Sequence, residues 1–220
     1  MTLQATLDTI KVELKAHLSA ELATIADRTM KALIASGQAA RALKVGDRAP
    51  SFNLPDQSGL MVSSAALLET GPVVVSFYRG VWCPFCNAEL KALQEALDSI
   101  EARGASLVAI SQQTLSNNGK SRRENKVTFP LLRDNRGEIG AAFGLRWVLP
   151  EDMRDLHRKL GGPLPVFNGE DSWTLPMPAR YVIDRDGVLA YAEVNPDYTQ
   201  RPEPSDLLPV LDRLNAVAAL

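Results

Sequence analysis

The stretch PVVVSFYRGVWCPFCNAELKAL, residues 72–93, changes from one structural pattern to another at a pair of cysteines. Its first part, 72–79, is a β-branched and aromatic run with little alternation, which is typical of a strand buried on both faces. Leucines then recur at helical spacing over 87–104, up to a terminal glycine. The stretch therefore predicts a central strand followed by a helix that begins within a residue or two of Cys83.

This position favours a reactive thiol. A helix N-terminus carries about half a positive charge and unpaired N–H groups, and both stabilise a thiolate. Thiols at such positions, or in Cys-x-x-Cys pairs, have pKa values of about 3.5 to 7.5, against about 8.5 for a free thiol. Pro84 suits the first helical turn, because a proline there loses no helical hydrogen bond. Cys86 lies one turn on, so Cys83 is the better candidate nucleophile.

Two other interpretations of Cys83 and Cys86 stay open on these grounds. They are the only cysteines of the 220-residue chain, and they could form half of a zinc site, which needs about four ligands. Only His17 and His157 could supply nitrogen, and neither lies beside another Cys or His. The pair could also be inert and buried, since its flanking residues are apolar. We predict no metal and no cofactor.

The composition excludes several classes of function. Apolar residues make up 45% of the chain, the formal net charge is −2 and the calculated pI is about 5.8. Neither a basic nucleic-acid-binding surface nor a polybasic membrane patch is expected. No run of about eighteen apolar residues predicts a membrane span, and the N-terminus lacks a secretory pattern. We therefore expect a cytoplasmic protein, in which a Cys-x-x-Cys pair is more often catalytic or metal-binding than structural.

The N-terminal segment has helical periodicity throughout. Apolar residues recur at spacings of three and four over 3–34, which predicts one helix that ends near Ser36-Gly37. We divide the chain into a helical extension, 1–44, and a main domain, 45–220. The extension is expected either to dock on its own domain or to pair with a second copy in a homodimer.

The remaining sequence alternates strands with helices. A strand is predicted at 106–111, a polar helix at 114–126, a short strand at 129–134 and a helix at 137–145. Residues 146–178 carry five prolines and are expected to be irregular. A hairpin then turns at Asp186-Gly187, and a helix follows Ser205-Asp206 to the C-terminus. This order predicts an α/β fold around a mixed sheet.

Several of these segments resemble the peroxiredoxins, the alkyl hydroperoxide reductase and thiol-specific antioxidant branch of the thioredoxin-like superfamily. The segments are FYRGVWCPFCNAELKAL (77–93), SLVAIS (106–111), FPLLRDNRGEIGAAFGL (129–145) and YVIDRDGVLAYAEV (181–194). The similarity covers about residues 45–215 and is closest to peroxiredoxin-like proteins with a Cys-Pro-x-Cys motif and an N-terminal helical extension. It implies a thioredoxin-like fold, with a central mixed sheet flanked by helices.

The resemblance also implies a reaction. Cys83 falls at the peroxidatic position, where a thiolate attacks hydrogen peroxide or an organic hydroperoxide and becomes a sulfenic acid. Cys86 is then the resolving thiol that forms a disulfide with it. A thioredoxin-like or other external dithiol is the implied reductant.

Two positions depart from the peroxiredoxin pattern. Peroxiredoxins carry Thr or Ser three residues before the peroxidatic cysteine, and here that residue is Gly80. Their arginine before the F-x-I-D strand is replaced by Pro178, where thioredoxins have a cis-proline, and Arg180 is displaced from that register. We therefore select Arg79, Trp82 and Pro178 as candidate substrate-binding residues, with Arg79 as the substitute cation. His157 lies in a charged helix and is expected to be solvated.

Two alternative functions use the same cysteines. A thioredoxin-like protein disulfide reductase is favoured by Gly80 and Pro178. A non-enzymatic redox sensor would signal to a partner through the N-terminal helix. The segments 129–134 and 181–187 favour the peroxidase.

Overall fold

The computed structural model describes residues 2–218 and contains a five-stranded mixed sheet between helices. The helices are α1 (Leu3–His17), α2 (Ala20–Ala35), α3 (Ser64–Thr70), α4 (Pro84–Glu101), α5 (Leu115–Asn125), α6 (Glu138–Ala142), α7 (Glu151–Lys159), α8 (Leu164–Asn168) and α9 (Leu208–Ala218). The strands are β1 (Asn53–Pro55), β2 (Met61–Ser63), β3 (Val73–Phe77), β4 (Ser106–Ser111), β5 (Leu131–Arg133), β6 (Arg146–Val148), β7 (Thr174–Pro176), β8 (Ala179–Ile183) and β9 (Leu189–Val194). No helix in the described range is long and apolar enough to cross a bilayer.

The central sheet has the strand order β5-β4-β3-β8-β9. Strands β3, β4 and β5 run parallel, whereas β8 pairs antiparallel with both β3 and β9. The predicted mixed sheet is therefore confirmed. Strand β3 is buried along its whole length, as its unalternating apolar run predicts.

Side chains of β3 alternate between two cores. Val74 belongs to a core that α4 and α9 cover, whereas Val73 and Val75 belong to a core on the opposite face. Because β3 is fixed from both faces, the loop that follows it has a rigid base. That loop carries Cys83 and leads directly into α4, which carries Cys86.

The N-terminal segment forms two helices, so the predicted single helix over 3–34 is wrong. Leu18 is extended, and the Ser19 hydroxyl accepts a hydrogen bond from the Leu22 N–H to start α2. The predicted end near Ser36-Gly37 is confirmed, since α2 ends at Ala35 and Gly37 is left-handed.

Both N-terminal helices dock on the main domain of their own chain. Helix α1 buries Leu3 and Leu7 in the core beneath α4, and α2 packs against α7. Full burial of one leucine contributes about 1.5–3 kcal/mol, so these two side chains contribute about 3–6 kcal/mol to the docking of α1. The homodimer and the division between 1–44 and 45–220 stay predictions.

Residues 195–203, here named the strap, tie α1 to the sheet. The Glu203 carboxylate accepts hydrogen bonds from the N–H groups of Leu3 and Gln4, both at 3.1 Å. A carboxylate at a helix N-terminus satisfies unpaired donors and is attracted by the helix dipole. The Gln4 side chain donates to the Thr199 carbonyl and accepts from the Arg201 N–H. These hydrogen bonds therefore join the start of α1 to the strap, the segment that follows β9.

The segment 146–178 is more regular than predicted. It contains α7, α8 and the antiparallel ribbon β6–β7. Pro150 and Pro163 each stand immediately before a helix, where proline costs no hydrogen bond. The helix predicted over 137–145 is shorter, because a 3₁₀ turn at 135–137 precedes α6.

Candidate active site

The two cysteines lie at the start of α4, beneath a cavity. Cys83 is the residue that caps α4, Pro84 is its first helical residue, and Cys86 is one turn on. Both thiols are free and buried, with 1% and 0% of their surfaces exposed. The end of β3 and the N-terminus of α4 thus meet at the sulfurs, as the sequence predicts.

The two thiols ionise very differently. Burial opposes ionisation of Cys83, but a hydrogen bond from the Cys86 thiol and the charges of Arg79 and Arg201 outweigh it and lower the pKa to about 6. Burial raises the pKa of Cys86 well above its usual value, and the adjacent Cys83 thiolate raises it further. At neutral pH, Cys83 is therefore the thiolate and Cys86 is the thiol that hydrogen-bonds to it.

Arg79 lies between two aromatic rings beside the thiolate. Its guanidinium carbon is 4.0 Å from the ring centroid of Tyr198 and 4.7 Å from that of Trp82. Such cation–π contacts fix the position of a buried guanidinium. Within residues 2–218, its Nε has no hydrogen-bond partner. The structure thus places the predicted substitute cation where its charge acts on Cys83.

Gly80 has a conformation and surroundings that no other residue fits. Its φ is +147°, and a Cβ atom there would lie 2.7 Å from Nε1 of Trp82 and 3.2 Å from Oε1 of Gln113. Gln113 also accepts a hydrogen bond from the Val81 N–H at 2.9 Å, which holds this loop in place. The indole of Trp82 therefore occupies the space into which a Thr or Ser side chain would project.

Pro178 does not behave as expected. The cis-proline of thioredoxins at this position leads us to expect a cis Met177–Pro178 bond, but the bond is trans, so that expectation is wrong. Trans is the intrinsically preferred isomer, and here the Pro178 carbonyl accepts from the Asn195 N–H at 3.3 Å. In the part of the chain that the structure describes, Pro178 is not among the residues that line the cavity over Cys83.

His157 is buried, so the expectation of a solvated histidine is wrong. Its ring packs edge-on against Trp82 at 4.8 Å between centroids, and its Nδ1 is 3.2 Å from the Gly162 carbonyl. Burial and the nearby Arg79 charge lower its pKa to about 4, so the ring is neutral at pH 7. The sequence signal for this burial is Met153, which lies four residues before His157 and therefore on the same, buried face of α7, together with the adjacent buried Leu156.

A cavity of about 240 Å³ lies over Cys83. Its walls are mainly apolar and come from the N-terminal helices, from the loop before α4 and from α7 and the segment after it. Among the wall residues are Leu14, Leu18, Ala26, Trp82, Phe85, Leu156 and Phe167. The helical extension therefore forms one wall of the candidate site.

A buried ionic cluster lies behind Cys86. The Glu89 carboxylate accepts from Arg180 at 2.8 Å and from Arg201 at 2.7 Å. Arg201 Nη2 is also 3.8 Å from Cys86 Sγ, and the Arg79 backbone N–H donates to the same sulfur at 3.4 Å. Neither Glu89 nor Arg201 was selected from the sequence, because no local pattern relates them to the cysteines.

Metal ligands are not assembled around the thiols. No group of three or more His, Cys, Asp or Glu side chains within residues 2–218 could hold a metal ion. A zinc site needs about four ligands, so the zinc interpretation has no third ligand in this part of the chain.

Comparison with known proteins places the chain in a family. The AhpC/TSA family model matches residues 45–192. The chain belongs to the AhpC/TSA family. A putative peroxiredoxin of Mycobacterium tuberculosis is 33% identical over 104 residues, which are 47% of this chain and 68% of that protein. Peroxiredoxin Bcp of Escherichia coli K12 is 29% identical over 103 residues, 47% of this chain and 65% of that protein.

The fold of this AhpC/TSA chain is shared by solved peroxiredoxins. The crystal structure of peroxidoxin BcpB from Mycobacterium tuberculosis superposes with a TM-score of 0.62 at 24% identity, over 80% of this chain and 98% of that one. The predicted thioredoxin-like α/β fold and the resemblance to peroxiredoxins are both confirmed, and with them the class of enzyme, a thiol-dependent peroxidase.

Proposed function

We propose that the protein reduces hydroperoxides through Cys83, with Cys86 as the resolving thiol and a thioredoxin-type dithiol as the reductant. The observation that carries this proposal is the pairing of a buried thiolate with a neighbouring thiol at the floor of a cavity. A low thiol pKa with a resolving thiol close by is typical of cysteines that react with peroxides.

The reaction follows from this arrangement. The Cys83 thiolate attacks one peroxide oxygen, so an S–O bond forms, the O–O bond breaks and an alcohol or water leaves after taking a proton. Cys86 then attacks the sulfenic sulfur, an S–S bond forms and the hydroxide leaves as water. An external dithiol reduces the disulfide in two exchange steps.

Arg79 supports the proposal as the group that replaces the missing hydroxyl and guanidinium. Its charge favours the thiolate, and Arg79 also lines the cavity over Cys83, in which the negative charge on the leaving oxygen would develop. A donor aimed at developing charge typically contributes about 3–4 kcal/mol to a transition state. Trp82 supports Arg79 by stacking on it.

The cavity indicates the kind of peroxide. A cavity of about 240 Å³ has room for a compact organic group. Apolar walls favour an organic hydroperoxide, because its apolar group displaces water from them. Hydrogen peroxide has no such group and leaves the walls in contact with water. We infer that small organic hydroperoxides with an apolar group are the better substrates.

Rapid-mixing kinetics tests the proposal. Reduced enzyme is mixed with hydrogen peroxide or cumene hydroperoxide, and turnover is followed with thioredoxin, thioredoxin reductase and NADPH. Cys83→Ser should abolish reaction with peroxide, whereas Cys86→Ser should react once and keep a sulfenic acid on Cys83 that mass spectrometry detects. Activity of Cys83→Ser through a Cys86 sulfenic acid would reverse the assignment, and wild-type reaction no faster than that of a free thiol would refute the peroxidase.

A protein disulfide reductase is the second candidate, and burial disfavours it. Only 1% of the Cys83 surface is exposed, so a small hydroperoxide reaches the reduced sulfur through the cavity, whereas a disulfide on a folded protein reaches it only after the cavity walls move. A protein donor needs the same movement once the Cys83–Cys86 disulfide has formed. We expect reduction of insulin to be slower than reduction of cumene hydroperoxide at equal concentrations. The redox-sensor alternative and the cytoplasmic location stay predictions.

A further inference from the structure

The buried ionic cluster contains more positive than negative charge. Arg180 and Arg201 share the single carboxylate of Glu89, and the three side chains are 0%, 3% and 3% exposed. A buried charge is costly unless it is paired, so the second arginine calls for a second anion. The sulfur of Cys86, 3.8 Å from Arg201 Nη2, is in contact with this unshared charge.

Arg201 is held so that one edge of its guanidinium remains directed to the sulfur. Nε donates to Glu89 at 2.7 Å and Nη1 donates to the Gln200 carbonyl at 2.7 Å. Nη2 is the nitrogen that contacts Cys86. Arg180 uses its Nη2 on the same carboxylate at 2.8 Å, but it forms no hydrogen bond with either sulfur in the described structure. The two arginines therefore differ in what they do for Cys86.

We propose that Arg201 is a catalytic residue of the resolving step, where its charge stabilises the Cys86 thiolate that attacks the Cys83 sulfenic acid. This rests on the proposed function. Before peroxide arrives, the negative charge lies on Cys83, and both Arg201 and Arg79 act on it. Once Cys83 is a neutral sulfenic acid, Cys86 is the anion that these two cations face.

The step balances in atoms and electrons. The Cys86 thiol loses its proton to solvent, and its thiolate attacks the Cys83 sulfur. The S–S bond forms as the S–O bond breaks, and hydroxide leaves and becomes water. Cys86 supplies the electron pair of the S–S bond, and the electron pair of the S–O bond leaves with the hydroxide. In the reductive half, the donor thiolate attacks Cys83 and Cys86 leaves as a thiolate beside the same arginine, which favours its departure.

The other ionisable groups around Cys86 do not substitute for Arg201. Tyr78 lies close by, and burial raises its pKa to about 12, so it stays neutral. Arg79 contributes its charge and a backbone N–H at 3.4 Å. Cys83 carries no charge as a sulfenic acid. Glu89 lies behind Arg201 and opposes a thiolate, an effect that Arg180 offsets by pairing with the same carboxylate.

Single-turnover kinetics separates the two chemical steps. After one equivalent of cumene hydroperoxide, the first phase depends on peroxide concentration and reports oxidation of Cys83. The second phase does not depend on it and reports disulfide formation. Arg201→Gln should slow the second phase at least tenfold, raise the pH midpoint of that phase by about one unit and lengthen the time over which dimedone traps the sulfenic acid. Arg201→Lys, which keeps the charge, should restore part of the rate.

Arg180→Lys is the matched control, because it alters a buried arginine on the same carboxylate. The pH midpoint of the second phase in Arg180→Lys should equal that of the wild type. Equal slowing in Arg180→Lys, or a wild-type rate and midpoint in Arg201→Gln, would overturn the role of Arg201 while the peroxidase stands. If Arg201→Gln does not fold, the wild type alone tests the proposal. A pH midpoint of its second phase above about 8.5, the pKa of an ordinary thiol, would overturn the role of Arg201, whereas a lower midpoint would support it. Absence of both sulfenic acid and disulfide in the wild type would instead refute the proposed function.

Discussion

The Cys83 and Cys86 side chains are chemically identical and lie one helical turn apart, yet they differ in charge. Cys83 faces the cavity and the charge of Arg79, whereas Cys86 hydrogen-bonds to it from below. Each thiol therefore sets the state of the other, because one proton is shared between two sulfurs at neutral pH. A sequence can place both cysteines at a helix start, but it does not show which sulfur a distant arginine contacts.

Removal of Arg79 should impair peroxide attack in a pH-dependent way. The reactive species is the thiolate, so the wild-type rate should rise through a midpoint near pH 6 and level off above it. A cation lowers that midpoint, so Arg79→Ala should shift it to higher pH and lower the plateau rate constant at least tenfold. Stopped-flow oxidation by peroxide between pH 5 and 9 measures both quantities.

Arg123→Ala serves as the control for this change, because Arg123 is exposed on α5. Its profile should coincide with the wild type. A fast reaction in Arg79→Ala with an unshifted midpoint would mean that the helix N-terminus, the Cys86 thiol and Arg201 activate Cys83 without Arg79.

At the scale of elements, α1 and α2 give the site a wall that lies outside the region matched to the family, 45–192. Their helical character follows from the apolar spacing in the sequence, but the break between them does not. The periodicity continues across Leu18, and only the Ser19 cap separates the helices. In residues 146–178 the sequence instead predicts too little structure. The prolines there look like helix breakers, but two of them stand immediately before helices.

Replacement of Leu14 should weaken selection for organic peroxides. Leu14 lines the cavity from α1, and loss of its apolar contact should cost about 1 kcal/mol of binding for a bulky substrate. Leu14→Ser should therefore raise the KM for cumene hydroperoxide about fivefold and leave that for hydrogen peroxide nearly unchanged. Steady-state kinetics with the thioredoxin system gives both values.

Val12→Ser makes the same kind of change on the same helix at a residue that is 70% exposed. Its KM for both peroxides should match the wild type. Equal effects of Leu14→Ser on both peroxides would show that the wall does not contact the organic group.

At the scale of the whole molecule, Glu89 joins three distant parts of the chain. It lies on α4 and binds Arg180 on β8 and Arg201 on the strap. The sequence predicts the individual strand and helix because their signals are local. It does not predict this cluster, because the partners are 91 and 112 residues from Glu89 and each is an ordinary charged residue in its own segment.

Loss of the Glu89 charge should destabilise the fold strongly. Glu89→Gln leaves two buried arginines without a carboxylate, and a broken buried pair typically costs about 3–5 kcal/mol. For a chain of this size, that corresponds to a fall in Tm of about 6–20 °C. Thermal unfolding followed by circular dichroism measures it.

Glu95→Gln is the matched control, because Glu95 is exposed on the same helix. It should melt within about 2 °C of the wild type, since exposed charges contribute little. A Glu89→Gln variant as stable as the wild type would show that the arginines are solvated in solution.

The strap also sets the time at which the enzyme becomes active during its synthesis. Glu203 holds the start of α1, and Arg201 reaches Cys86, so both contacts await residues that the ribosome adds long after the two cysteines, since Arg201 lies 115 residues after Cys86. A nascent chain that has already exposed Cys83 lacks one of the two cations that lower its pKa. Its thiol is therefore closer to an ordinary cysteine and reacts more slowly with cellular oxidants. The chain thus gains its full sensitivity to peroxide only after the strap has been made.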